Sequence, residues 1–164
     1  MAKSTNYLIF KNRDQWREWL EKNHTTETEA WLILFKKKYQ SERLTLDEAV
    51  EEVLCFGWID GKLKSLDERR YALRYSPRTS NSTWSVSNIQ RAEKLIAAGK
   101  MTKVGQLKIA QAKKTGEWET AVRREHVNNI PEELESALPK HNGALSAYQA
   151  LPDSRKKQYI YWLQ

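Results

Sequence analysis

The sequence predicts an α+β fold: a small antiparallel or mixed sheet with packed helices, followed by an all-helical C-terminal half. Three observations carry that reading. Ala30–Phe35 (AWLILF) is a continuous apolar run of strand length. Ile59–Ser65 and Arg70–Ser76 form two alternating segments joined around Asp67-Glu68. From Ser87 onward, helix caps, apolar stripes of helical period and terminating glycines succeed one another to the C-terminus. Strands early and helices late argue against alternating βαβ units.

In order, Tyr7–Phe10 reads as a short edge strand, and Asn12 caps a helix whose Trp16, Trp19 and Leu20 share one face. AWLILF, apolar on both alternating faces, predicts a central strand covered on both sides. Lys36, Lys37 and Lys38 mark its exit into solvent, and Tyr39–Arg43 reads as a loop. Thr45 and Glu48 make a capping box for a helix with the stripe Leu46, Ala49, Val50, Val53 and Leu54, which ends near Gly57. In the hairpin, placing Leu63 opposite Leu73 sets Lys62 opposite Arg74 and Asp60 opposite Ser76. This register needs an odd-length loop and gives a polar face with one carboxylate among several cations.

After a Ser/Thr/Asn-rich loop over Pro77–Thr83, Ser87 with Gln90 predicts a cap for a helix bearing Val86, Ile89, Leu95 and Ile96 and stopping at Gly99. Thr102 caps another with Val104, Leu107 and Ala110, ending at Gly116, and Trp118 packs back across it. Asn129-Ile130-Pro131 starts a helix with Leu134 and Leu138, a further one begins near Asn142 with Leu145 and Tyr148, and Pro152 opens the last, with Tyr159, Trp162 and Leu163. The expected organisation is a core domain over 1–116 and a helical appendage over 117–164.

Net charge is +7 over 164 residues. Residues 1–61 carry nine basic and eleven acidic side chains, residues 62–84 six and two, residues 85–116 seven and one, and the remainder six and seven. The excess sits in residues 62–116, which fits either solvated lysine-rich helix faces or a surface for anionic partners, nucleic acid among them. A single cysteine allows no internal disulfide. There is no apolar run of membrane-span length, and Met1–Phe10 lacks the pattern of a signal peptide, so a cytoplasmic location is expected.

The residues with the most chemistry lie between Leu54 and Asn88. Cys55 ends an apolar stripe and reads as a core thiol. His24, His126 and His141 share no metal-ligand spacing, so neither a metal nor another cofactor is expected. Gly57-Trp58-Ile59-Asp60-Gly61 lacks the spacing of a nucleotide-binding glycine loop and reads as a tight helix-to-strand passage. Asp60, Lys62, Arg74, Arg78, Trp84, Ser85 and Asn88 form the candidate ligand-binding set. Guanidinium forks, hydroxyls and helix-start N–H groups suit a phosphate or carboxylate, with Trp84 as a wall and Asp60 ordering the cations. Two readings stand beside this one: capping and packing alone, or a small enzyme with Asp60 as general base and Arg78 as oxyanion clamp.

The blocks CFGWIDGKLKSLDE and YSPRTSNSTWSVSNIQRAEKLIAAGKMTKVG, with WREWLEKNH, EAWLILFKKK and the final ALPDSRKKQYIYWL, resemble the YdeI/OmpD-associated, or bacteriocin-protection, family over nearly the whole chain. The resemblance implies protection against bacteriocins or cationic antimicrobial peptides and, by the family name alone, association with an outer-membrane porin. It transfers no catalytic residue and no cofactor. Members commonly continue into a basic tail beyond the last helix, so a shortened chain is expected here.

Overall fold

The computed structural model describes residues 6–40, 43–126 and 130–163. A four-stranded sheet in the order β1-β2-β4-β3 is built from β1 (Tyr7–Leu8), β2 (Ala30–Phe35), β3 (Trp58–Ser65) and β4 (Arg70–Pro77). β1 runs parallel to β2 at the edge, and the other pairings are antiparallel, so the sheet is mixed. Among the described residues eight α-helices accompany it: α1 (Arg13–Asn23), α2 (Leu46–Cys55), α3 (Val86–Ala97), α4 (Lys103–Lys114), α5 (Glu117–Glu125), α6 (Glu132–Ala137), α7 (Ala144–Ala150) and α8 (Asp153–Leu163). The α+β reading holds.

The N-terminal signals act as their chemistry dictates. Asn12 accepts from the Gln15 N–H to cap α1. Trp16, fully buried, donates its indole N–H to the Ala49 carbonyl at 3.2 Å and packs against Trp19, Phe10 and Tyr75. At α2 the capping box is complete, with the Thr45 hydroxyl accepting from Glu48 N–H and the Glu48 carboxylate accepting from Thr45 N–H. Thr45→Ala removes one half of that exchange. It is expected to lower stability by about 1 kcal/mol in a urea titration with an unchanged m-value.

β2 is central, but it is not covered on both sides. Ala30, Leu32 and Leu34 are buried beneath the helices, whereas Trp31, Ile33 and Phe35 are half-buried on the opposite face. Ring and guanidinium contacts from Tyr7 and Arg43, rather than a second helical layer, shield that face. An apolar run therefore reported on aromatic platforms as well as on burial.

The hairpin keeps Leu63 opposite Leu73, as the alternation requires, and five residues separate the paired Ser65 and Tyr71, the odd length expected. Beyond Leu63 a bulge intervenes: Asp60 pairs with Tyr75 and Ile59 with Ser76, so Gly61 and Lys62 together oppose Arg74. The expected Asp60–Ser76 pairing is thus shifted by one residue. Asp60 consequently leaves the polar face and lies on the helix-covered face with Trp58 and Tyr75. Leu63, at the free edge, is 59% exposed instead of joining the core.

The helical half departs from the expected stripes in phase. In α3, Ile89, Ala92 and Leu95 face inward and Ile96 outward. In α4 the buried set is Gly105, Ile109 and Ala112, while Leu107 is exposed, because small residues allow the closer approach to α2. Trp118 does pack back onto α4, with the Lys113 ammonium 5.0 Å from its ring centroid, and it also lies 5.1 Å from Trp84. Trp118 and Ala121 of α5 belong to the same hydrophobic core as α1–α4. In α8 the inward residue is Ile160, and Trp162 is 82% exposed. The cap expected at Asn129 lies outside the described residues, as does part of the Tyr39–Arg43 loop.

Candidate functional site

The residues singled out between Asp60 and Asn88 do not form one cluster. Arg74 is on the open face of the sheet, ion-paired to Glu29 at 2.5 Å, and Lys62 is exposed in the bulge. Ser85 is the cap of α3, accepting from the Asn88 N–H, and the Asn88 carboxamide oxygen accepts from Arg91. Ser85, rather than Ser87, is therefore the cap, and these two residues serve the helix start. Arg78, Trp84 and, at longer range, Asp60 remain together.

Arg78 follows β4 immediately, and its N–H donates to the carbonyl of Gly57 at 2.9 Å. Gly57 itself takes φ 70°, which reverses the chain after α2 as only glycine does readily. This tie draws the side chain inward, and Arg78 is only 3% exposed. Its guanidinium carbon stands 3.9 Å from the Trp84 ring centroid, and Nη1 donates to the Thr83 carbonyl at 3.0 Å. Nε and Nη2 are buried without a hydrogen-bond partner. Burial pulls the Arg78 pKa down to about 10, with Asp60 and Glu117 opposing the shift by charge attraction. The group is therefore a cation at neutral pH. Neither carboxylate reaches it as an ion pair.

Glu117 has other partners: it accepts from the Trp84 N–H at 2.9 Å and from Arg124 at 2.8 Å. It closes the site from α5 as Lys108 and Gln111 do from α4 and Thr115 from the C-cap of α4, and a cavity of about 10 Å³ is left between them and the Thr79–Ser82 turn. That volume holds about one water molecule. Trp84 is 4% exposed, with Arg78 over its ring and Trp118 beside it, so it walls the cavity and presents no open face to a flat ligand. Lys108, Thr115 and Glu117 were not signalled by sequence, since lysines and a first-turn glutamate on helices ordinarily face solvent.

Cys55 is fully buried, and burial followed by the nearby Glu52 charge pushes its thiol up, against the opposing pull of Arg17. Among the described residues no group of three or more His, Cys, Asp or Glu side chains is arranged to hold a metal ion.

The family profile described as a domain of unknown function (DUF8412) matches residues 8–108. The chain belongs to the DUF8412 family. The DUF8412 segment contains β2 to β4, α1 to α3, Arg78 and Trp84, and so both the CFGWIDG and the SPR blocks. A second profile, described as bacteriocin-protection, YdeI or OmpD-associated, matches residues 129–164. The likeness to that second family is thus confined to the C-terminal helices, where the sequence resemblance had extended over nearly the whole chain. No curated protein and no solved structure matches with significance. Among the described residues no helix is long and apolar enough to cross a membrane.

Proposed function

We propose that this DUF8412 protein is a non-catalytic, cytoplasmic binding protein of the protection type, whose basic, tryptophan-walled site receives a small anion or the oxygen of a phosphate-bearing ligand. The single observation behind this reading is the buried guanidinium of Arg78, which has two nitrogens, Nε and Nη2, without acceptors beside a small cavity. A buried charge without a partner is strongly unfavourable, and an acceptor oxygen in that cavity would offset much of it. The hydroxyls of Thr79, Ser80, Ser82 and Thr115 and the Lys108 side chain line the same space and suit an oxyanion. At about 10 Å³ the cavity takes one oxygen atom, so a whole phosphate group would enter only as the Thr79–Thr83 segment lifts away. The protection role is supported by the C-terminal likeness to the bacteriocin-protection family, and the cytoplasmic setting by the lone, buried cysteine.

The test is a thermal-unfolding series in nitrate, chloride and inorganic phosphate at constant ionic strength, balanced with a bulky organic anion. Binding to the folded state raises the midpoint with concentration, by the equivalent of about 2.7 kcal/mol at a hundredfold excess over Kd. Arg78→Met keeps the contact with Trp84 without the charge, so it is expected to remain folded and to lose the anion dependence. An equal response in wild type and Arg78→Met would refute the site.

A further inference from the structure

The face of the sheet opposite the helices is not used by the Arg78 site, and its composition is unlike that of an ordinary solvated sheet. Where alternation normally sets polar residues outward, β2 presents Trp31, Ile33 and Phe35. Cations stand directly beside these rings: Arg74 pairs in register with Trp31, and Arg70 with Phe35. Tyr7 packs edge-on to Trp31, with ring centroids 6.3 Å apart, and accepts a hydrogen bond from Lys64 at 3.0 Å. At the far end, the Arg43 guanidinium lies 4.2 Å from the Phe35 centroid, and Arg69 lies 5.5 Å from that of Tyr39. Two aromatic stations, Phe35 and Trp31 with Tyr7 beside it, therefore lie at opposite ends of β2, about 13 Å apart at the rise of an extended strand.

We propose that this open sheet face is a platform for single-stranded nucleic acid, with bases stacking at the Trp31 and Phe35 stations and the backbone phosphates held by Lys64, Arg70 and Arg74. Charge complementarity selects this occupant. Among the described residues the face and its rim carry five cations, Arg43, Lys64, Arg69, Arg70 and Arg74, against three carboxylates, Glu29, Asp67 and Glu68, so positive charge is in excess. A phosphate would replace Asp67 on Arg70 and Glu29 on Arg74. Alternating rings and cations match the repeat of base and phosphate along a strand, and aromatics on a four-stranded sheet are a general means of stacking unpaired bases. Here the rings are half-buried, so a base would displace the Arg43 guanidinium from Phe35. A duplex hides its base faces and is read by an element that enters a groove, which a flat sheet does not. The positive excess of residues 62–116 is divided by this architecture: the hairpin cations belong to the platform, and the lysines of α3 and α4 lie with the helices on the other side of the sheet.

The experiment is fluorescence anisotropy with labelled oligodeoxythymidine and oligouridine strands, and a duplex of equal length, across a salt series. The expected result is binding of single strands in preference to the duplex, weakening with salt. Trp31→Leu and Phe35→Leu should each weaken it roughly 5- to 150-fold, the range for losing one stacked base, and Trp31→Phe should restore it. Lys64→Gln should flatten the salt dependence, and charge reversal at Lys94 and Lys103 should leave affinity unchanged. Binding of either sugar supports the platform, and a preference for RNA would add recognition of the 2′-hydroxyl. Absence of binding at low salt, equal affinity for the duplex, or full affinity in folded Trp31→Leu and Phe35→Leu would overturn it. Should Trp31→Leu fail to fold, Phe35→Leu with Lys64→Gln decides.

Discussion

Gly105→Ala is expected to destabilise the protein by about 3 kcal/mol, although alanine is the better helix former by about 1 kcal/mol. Gly105 lies in the first turns of α4, where that helix meets the end of α2. A Cβ there would stand 2.5 Å from the Cys55 carbonyl oxygen, 2.9 Å from that of Leu54 and 2.3 Å from the Met101 sulfur. Methionine swings aside readily, but the two carbonyls are backbone. They are also held, since the Thr102 hydroxyl donates to Cys55 O while Thr102 caps α4. The added atom must therefore push the helices apart, opening contacts in the core that Ile109 and Ala112 share with Val53 and Leu54. Thermal unfolding should show a midpoint lowered by roughly 6–12 °C for a chain of this size. Gly105→Val should be worse again. An alanine variant as stable as wild type would mean that α4 docks more loosely than described.

The second large effect is expected at Glu52, which is 1% exposed and ion-paired to both Arg13 and Arg17 across the α1–α2 interface. Burial alone would lower the pKa values of both arginines, but the hydrogen bonds they donate, from Arg13 to Glu51 and Glu52 and from Arg17 to Glu52, together with the attraction of those charges, more than offset it, and both are raised. Glu52→Gln keeps the shape and removes the charge, leaving two guanidinium groups without their shared partner. Removing one member of a buried pair costs about 3–5 kcal/mol, and because Arg13 and Arg17 retain 22% and 29% exposure, roughly 2–3 kcal/mol is expected here. The quadruple variant Arg13→Met, Arg17→Met, Glu51→Gln, Glu52→Leu, which also neutralises the Arg13 partner Glu51, should regain most of that loss, since an apolar replacement of a buried network is often neutral or better. Urea titrations of the single and quadruple variants distinguish the outcomes. If the quadruple falls further than the single, packing at these positions outweighs charge.

What was readable from sequence was whatever is local in chain. Asn12, Thr45 with Glu48, and the glycines at 57, 99 and 116 state helix ends through bonds or torsions spanning a few residues. The Leu63–Leu73 pairing was equally legible, because hairpin partners are neighbours. The misreadings share one cause. Glycine at 61 carries no side chain to announce a bulge, so alternation put Asp60 with Arg74 when the fold puts it near Tyr75 and Arg78. Gly105 and Ala112 carry no hydrophobic signal strong enough to outvote Leu107, although closeness between helices demands small residues. Of the site, Arg78 and Trp84 were found for their chemistry. Their burial depends on α4 and α5, which arrive from 24 to 39 residues later in the chain.

The bulge at Gly61 and Lys62 has a bearing on how this hairpin tolerates changes in length. Two residues there face one, so β3 contains a surplus position. A β3 one residue shorter at that point would form an uninterrupted ladder with Leu63 still across from Leu73 and Asp60 still across from Tyr75. The hairpin is therefore divided into two segments with independent bookkeeping of inside and outside. One tunes the platform around Lys64 and Arg70, and the other the surroundings of Arg78, and drift in either need not be transmitted to the other.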